Sequence, residues 1–542
     1  MQYSKLSKYS KWFHKYFGLV LILFIAWMSF SGVLLNHPDL ISGVNIPAFL
    51  TPNQYHYKSW NRSSLIELQY LKQNPETAIG CGKAGVWITY DGGNTFTSYN
   101  EGLPESLYYL KTADLFVFED GNTLFLAGTK GGLYKRYLDD SKWVSVDLPL
   151  PDADIRKILH INDRLVLFSD SDVFSSAFSA EKFHFEKVTA SQESESEYVS
   201  LVDLFFELHS GSIWGFPGKL LFDLAGIILF FLSVSAFYSW YYPWKRKKQK
   251  PFGIQSSGRV RRMFKWFFKY HLKLGIWAAL VLLIFGVTGF FMRPPMLVAL
   301  TNGRISKVLY PGHLDENPWH GKINNALYNK SKNQIVIETT DGFWQGKADF
   351  SEPFHKYKMN VPVFVMGTTV FENIDSVTCL VGSYNGLFRY NSKTDISYDV
   401  LTQREADNIS SVMPADIMIT GYFITPDDEV FITSHEKGLL PVDNAQTNGR
   451  FQMPEEASQI GFPMWNWLFE IHNGRFFKDW IGGFYILIIP LGSLLYVLII
   501  LSGVYDWFYI KVLKKRESNE KRKKIKFDNH IKKTGKTKVE TN

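Results

Sequence analysis

Cysteine is almost missing from this chain. Its 542 residues hold two, Cys81 and Cys379. That scarcity excludes a disulfide-stapled scaffold, a four-cysteine iron–sulfur cluster and a CxxCH haem attachment. No flavin or nicotinamide fingerprint is present either. Histidines between the apolar runs, such as His56, His160, His313 and His435, show no metal-ligand spacing. The net charge of +7 lies mostly in short runs beside apolar segments, so it speaks of membrane orientation and not of a nucleic-acid partner. Hydrophobic residues make up 46% and aromatics 16%. A mean hydropathy of −0.10 nevertheless excludes an all-membrane protein and favours a few spans joined to a large polar part.

Four windows are apolar over the roughly 20 residues that a helix needs to cross a bilayer. They run from Gly18 to Leu35, Leu220 to Trp240, Leu274 to Met292 and Trp480 to Trp507. The first is too long for a signal peptide, lacks a small-residue cleavage site, and has a counterpart in mid-chain. Lysines 5, 8, 11 and 15 precede it; Lys245–Lys248 follow the second window. Arg259, Arg261, Arg262, Lys265 and Lys269 precede the third, and Lys511, Lys514, Lys515 and Arg516 follow the fourth. The other ends carry few cations. By the positive-inside rule both termini are expected to be cytoplasmic, with both long connections outside. The expected layout is 1–38 (N-terminus and span 1), 39–207 (outer β half), 208–244 (span 2) and 245–263 (basic loop). It continues as 264–293 (span 3), 294–468 (second outer β half), 469–510 (span 4) and 511–542 (basic tail).

The outer segments repeat a short pattern of glycine, an apolar residue and, usually, an aromatic one. It stands at Gly85-Val-Trp87, Gly132-Leu-Tyr134, Gly342-Phe-Trp344, Gly386-Leu-Phe388 and Gly438-Leu-Leu440, with a degenerate copy at Ser171–Phe174. Neighbouring copies lie at roughly the 40–50 residues of one propeller blade. Thr89-Tyr-Asp-Gly-Gly-Asn-Thr-Phe96 resembles the Asp-box turn of sialidase-type propellers, a structural brace that implies no glycosidase activity. Three blades from each half could close one six-bladed ring and remove exposed sheet edges; two separate β-domains are the alternative.

The spans are duplicated. His14, Gly18 and Ser31-Gly32 return as His271, Gly275 and Thr288-Gly289, 257 residues later. Leu208-His209-Ser-Gly211 returns as Ile471-His472-Asn-Gly474. A histidine in a membrane span needs a partner or a cofactor. If the halves pack as a pseudo-twofold four-helix bundle, His14 can face His271 near one surface and His209 can face His472 near the other. Two neutral imidazoles on one iron are the usual low-spin b-type haem arrangement, so two haem b groups are expected. His37, in Asn36-His37-Pro38, is a further candidate ligand or propionate contact, but Pro294 occupies its duplicate position.

These motifs resemble the PepSY-associated transmembrane helix family. Its hallmarks are His-x-x-x-Gly-Leu, then Ser/Thr-Gly, then Leu-His-x-Gly. The departures here, Ile276 and Ile471 for Leu, are conservative. The resemblance covers the spans and their flanks. It implies a haem-bearing, siderophore-iron-reductase-like protein of the bacterial inner membrane, with its large domain in the periplasm. The fold class expected is thus membrane α plus extracytoplasmic β. The expected function is electron transfer from quinol or a protein donor, across the lipid bilayer, to a ferric chelate. No convincing small PepSY domain accompanies the spans, so the outer domain must select the acceptor. Two rivals remain: a membrane-anchored propeller sensor without redox activity, and a transporter. Against the transporter stands the absence of Asp or Glu near mid-span; Asp223 and Asp479 lie at span entrances.

Overall fold

The computed structural model describes residues 2–179, 182–193, 197–252, 257–301, 303–313, 315–406, 413–442 and 445–513. Most of the expected basic tail, from 514 on, lies outside the described residues, as do 253–256 of the basic loop. The chain divides into two compact units.

One unit, Pro38–Ser196 with Leu314–Trp467, is built of small antiparallel sheets. Among the described residues, six have three or four strands, three before residue 196 and three after residue 314, and a two-stranded pairing of Asn45–Ile46 with Phe462–Pro463 adds a seventh. Of the six, five have four strands and the last, Ile419–Pro441, has three. Strand order within each of the six is sequential, and neighbouring strands run antiparallel. The recurring glycine opens the third strand of its sheet. Gly85, Gly132, Gly342, Gly386 and Gly438 all have positive φ, from +75° to +127°, which glycine adopts without a Cβ penalty.

Second strands such as Ala78–Gly82 are buried throughout, because each sheet is covered on both faces. Leu124 and Leu126 of the second sheet pack with Leu165 and Leu167 of the third. Phe168 and Val166 of the third meet Ile335 and Ile337 of the fourth. The same holds from fourth to fifth, fifth to sixth and first to second. Leu68 and Trp87 of the first sheet share a cluster with Phe423 and Phe431 of the last. The chain just before the first sheet also joins the last one: Leu439 N–H donates to Ser59 O (2.7 Å) and Arg62 N–H to His435 O (3.1 Å). In the Asp-box turn, Asp91 Oδ1 accepts from Thr89 Oγ1 (2.8 Å) and Thr95 N–H (2.9 Å), bracing the hairpin.

The other unit comprises the described residues of Met1–His37, Glu197–His313 and Leu468–Asn542. Among the described residues, three helical stretches are long and apolar enough to cross a membrane: Ser212–Phe252, Gly258–Phe291 and Arg475–Leu513. The protein is therefore a multi-pass membrane protein. The expected first span is not one straight helix. Lys5–Val20 and Ile22–Leu35 meet at a 64° bend, where Leu21 has ψ of 1° and leaves the helical range. They make a fourth span only if the bent pair crosses together. Ile25, Leu229, Leu282 and Ile499, one from each of the four helical stretches, share a single apolar cluster. Residues 197–207 belong with this unit and not with the β half expected at 39–207: helix Leu201–Ser210 packs here, and strand Tyr198–Ser200 pairs with Arg304–Ser306.

Trp60 joins the first and last sheets. It is fully buried, its Nε1–H donates to Phe451 O (2.8 Å), and its ring lies 5.6 Å from Trp87 and 5.2 Å from Phe96. Trp60→Ala should destabilise the β unit by about 3–5 kcal/mol, measured by denaturant unfolding followed by tryptophan fluorescence. A midpoint equal to wild type would contradict this packing.

Candidate functional site

The Leu-His-x-Gly motif has a mechanical origin. His209 closes the helix Leu201–Ser210 and His472 closes Met464–His472. Gly211 (φ 79°) and Gly474 (φ 81°) then take the left-handed conformation that ends a helix. At Gly211 a Cβ would stand 2.6 Å from Gly218 O. Each glycine thus turns the chain into the next long helical stretch and leaves its histidine beside the long helices.

The four duplicated histidines form two pairs. His14 and His271 face each other with ring centroids 6.3 Å apart and planes at 81°. His209 and His472 do the same at 6.3 Å and 77°. A hydroxyl holds each ring by Nδ1. His209 Nδ1 is 2.8 Å from Thr288 Oγ1, His472 Nδ1 2.8 Å from Ser31 Oγ, and His271 Nδ1 2.8 Å from Ser235 Oγ. His14 Nδ1 lies 3.1 Å from Ser502 Oγ and 3.0 Å from Ile499 O.

These contacts select a tautomer. Each hydroxyl has one proton and gives it to its own helix: Thr288 to Ile284 O, Ser31 to Trp27 O, Ser235 to Leu232 O and Ser502 to Ile499 O. The oxygen must then accept from the ring, so Nδ1 carries the hydrogen. For His14 the carbonyl of Ile499 forces the same answer, since a carbonyl only accepts. Nε2 is left with its lone pair, and among the described residues no side-chain hydrogen bond engages it in any of the four. This is the outer-shell pattern that fixes a metal-ligating imidazole.

The spacing suits one metal ion between each pair. About 2 Å from ion to each nitrogen, plus about 1 Å from nitrogen to ring centre, gives roughly 6 Å between centroids. Small residues leave room beside the rings. A Cβ on Gly32 would stand 3.5 Å from His472 Cε1, one on Gly289 3.5 Å from His209 Cε1, and one on Gly503 3.0 Å from His14 Cε1. The residues therefore fit a flat macrocycle ligated on both faces by neutral imidazoles. Among the described residues, no group of three or more His, Cys, Asp or Glu could hold a metal ion.

His37 is engaged elsewhere. Its Nε2 lies 2.7 Å from Asp223 Oδ2, and Asn36 Nδ2–H donates to Asp223 Oδ1 (3.0 Å). The structure puts it in a hydrogen bond with Asp223, outside both histidine pairs. Ser235 and Ser502 were not singled out in the sequence, although a signal exists. They lie 267 residues apart, the same interval that relates Tyr238 to Tyr505 and Trp240 to Trp507.

Nitrogen-15 labelling of histidine should find all four rings in the Nδ1–H form in cofactor-free protein, with assignments from single His→Gln variants. An Nε2–H resonance from any of them would contradict the hydrogen-bond assignment.

Several solved structures are similar to this chain. One is the extracellular domain of a proposed one component system from B. thetaiotaomicron: 11% identity, TM-score 0.32, 73% of this chain and 40% of that one. Another is YCF48 from Cyanidioschyzon merolae: 10% identity, TM-score 0.30, 71% and 97%. A third is the GH74 xyloglucanase from Xanthomonas campestris: 8% identity, TM-score 0.33, 71% and 46%. The chain thus spans about two fifths of the first of these. No curated protein matches the sequence. The model of the PepSY-associated TM region matches residues 11–509, and the chain belongs to that family.

Proposed function

We propose that this chain is a haem-containing transmembrane electron-transfer protein, an oxidoreductase with one b-type haem held by His14 and His271 and a second by His209 and His472. The observation that carries the reading is the pair of facing, hydroxyl-clamped imidazoles repeated at two levels. Haem, when bound, supplies reversible one-electron chemistry at each level. The chain's own residues do the rest. Ser31, Ser235, Thr288 and Ser502 hold the rings and fix their tautomer, and the glycines keep space beside them. The surrounding apolar side chains hold the sites in low dielectric, which tunes potential.

The levels suit a membrane crossing. His271 and Thr288, the latter holding His209, are 17 residues apart on one helix, roughly 25 Å at 1.5 Å per residue. The hydrocarbon core is about 30 Å thick. In this reading the four helical stretches form a bundle, and the six sheets form one six-bladed propeller made of two three-blade halves. The basic runs place both termini in the cytoplasm and the propeller in the periplasm of a bacterial inner membrane. Electrons come from quinol or a protein donor and reduce a ferric chelate of the siderophore-iron type.

The test is the visible spectrum of purified protein, oxidised and dithionite-reduced, after expression with sufficient haem. A Soret band and a reduced α-band are expected. His271→Ala and His472→Ala should each lower haem per protein by about half, as loss of one of two axially ligated groups requires. With no haem bands the conduit reading fails, and a membrane-anchored binding protein or sensor takes its place. Unchanged haem content in both variants would move the ligation elsewhere.

A further inference from the structure

The helical unit holds a cavity of about 350 Å³ between its first helix, Gln2–Val20, and its last, Ile488–Phe508. Leu6, Tyr9 and Phe13 wall it on one side and Leu501 on the other. Leu6, Tyr9 and Leu501 are 54%, 70% and 47% exposed, so they form its mouth. Because Leu501 belongs to the apolar stretch Arg475–Leu513, that mouth opens sideways toward lipid. Lys5, Lys8 and Lys11 alternate with the rim residues of the first helix, which sets the mouth near headgroup depth.

Two hydroxyls interrupt the apolar wall. Ser10 and Ser502 both line the cavity, and Ser10 Oγ–H donates to Ser502 O (3.2 Å). Ser502 is also the residue whose Oγ holds His14 Nδ1 at 3.1 Å, so it borders the cavity and the histidine pair at once. Ser10 is hydrogen-bonded to the Asp506 carboxylate as well. Asp506 Oδ1 is buried with no hydrogen-bond partner among the described residues. A proton acceptor therefore stands one hydroxyl behind the wall. The duplicate interface lacks all of this. Phe267 occupies the position equivalent to Ser10, and Ser239 the one equivalent to Asp506. There Phe267 packs on Phe231 and Tyr238, with ring centroids 5.7 and 5.2 Å apart. One copy fills the space with aromatic rings; the other keeps it open and lines it with hydroxyls.

We infer that this cavity binds the ring of a lipid-borne quinol, with Ser10 Oγ accepting from a ring hydroxyl. Its volume lies at the low end of the roughly 300–1,000 Å³ of small-molecule sites, which suits one ring whose apolar tail stays in the membrane. An acyl chain would use the apolar walls and leave the hydroxyls idle. A flat ring bearing a hydroxyl uses both, because Ser10 Oγ retains a lone pair beyond its own donated bond. Choosing a quinol over a protein donor rests on the electron-transfer reading proposed above. Oxidation of a quinol to the quinone releases two electrons and two protons, so its site needs an outlet for each. This cavity borders His14 through Ser502 and Asp506 through Ser10.

The test is binding of heptyl-hydroxyquinoline N-oxide, a fluorescent quinol analogue, to the full chain in phosphatidylglycerol nanodiscs. It needs no haem and no turnover. Saturable quenching of the analogue, displaced by decylubiquinol and not by palmitate, is expected. Leu501→Trp should close the mouth and weaken binding about tenfold or more. Ser10→Ala should weaken it roughly three- to tenfold, the scale of one neutral hydrogen bond. Leu494→Trp, at an exposed position of the same helix outside the cavity, should leave it unchanged. Haem content, read on the same samples, should equal that of wild type in all three variants. Haem bands without analogue binding would sink this site alone, whereas missing haem bands would sink the conduit. If Leu501→Trp fails to fold, Ser10→Ala carries the test. Absence of saturable quenching, displacement by palmitate, or wild-type affinity in the folded Leu501 and Ser10 variants would overturn the inference.

Discussion

Everything proposed for the membrane unit depends on one interaction, the hydrogen bond from a histidine Nδ1–H to a hydroxyl that is already bonded to its own helix. A neutral imidazole in an apolar interior needs a partner for its N–H. The hydroxyl supplies it at low cost, since its proton satisfies a carbonyl within the same helix. The bond also leaves Nε2 free of its proton. Ser31 and Thr288 do this for the pair at the short helices, and Ser502 and Ser235 for the pair on the long ones. Because every clamp sits on a different helical stretch from its histidine, the same four bonds fix how the stretches pack.

The β unit is constrained differently. Each apolar cluster lies between two sheets, and the cluster holding Trp60 and Trp87 draws on the first sheet and the last. An arc of three sheets would leave a sheet face and its apolar cover exposed at both ends. Three sheets come from before residue 196 and three from after residue 314, so each half needs the other to bury its ends. A duplicated chain meets that need in a single molecule.

Much of this arrangement was legible in the residues themselves. The 257-residue interval paired His14 with His271, and the glycine repeat marked the third strands. Other features carried no readable signal. The bend at Leu21 has no proline, and the duplicate stretch around His271 runs straight through Gly258–Phe291, so local composition could not foretell it. A serine in an apolar run, such as Ser235, has no period to betray it; only the interval to Ser502 does. His37 looked available because its partner, Asp223, lies far along the chain and belongs to a different helix.

The central claim is that two near-perpendicular histidine pairs ligate two haems, and low-temperature electron paramagnetic resonance of the oxidised protein addresses it directly. Imidazole planes at 77° and 81° should yield two strongly anisotropic low-spin ferric signals. His14→Ala should abolish one and His209→Ala the other. A high-spin signal in wild type, or two low-spin signals that survive both substitutions, would contradict the account.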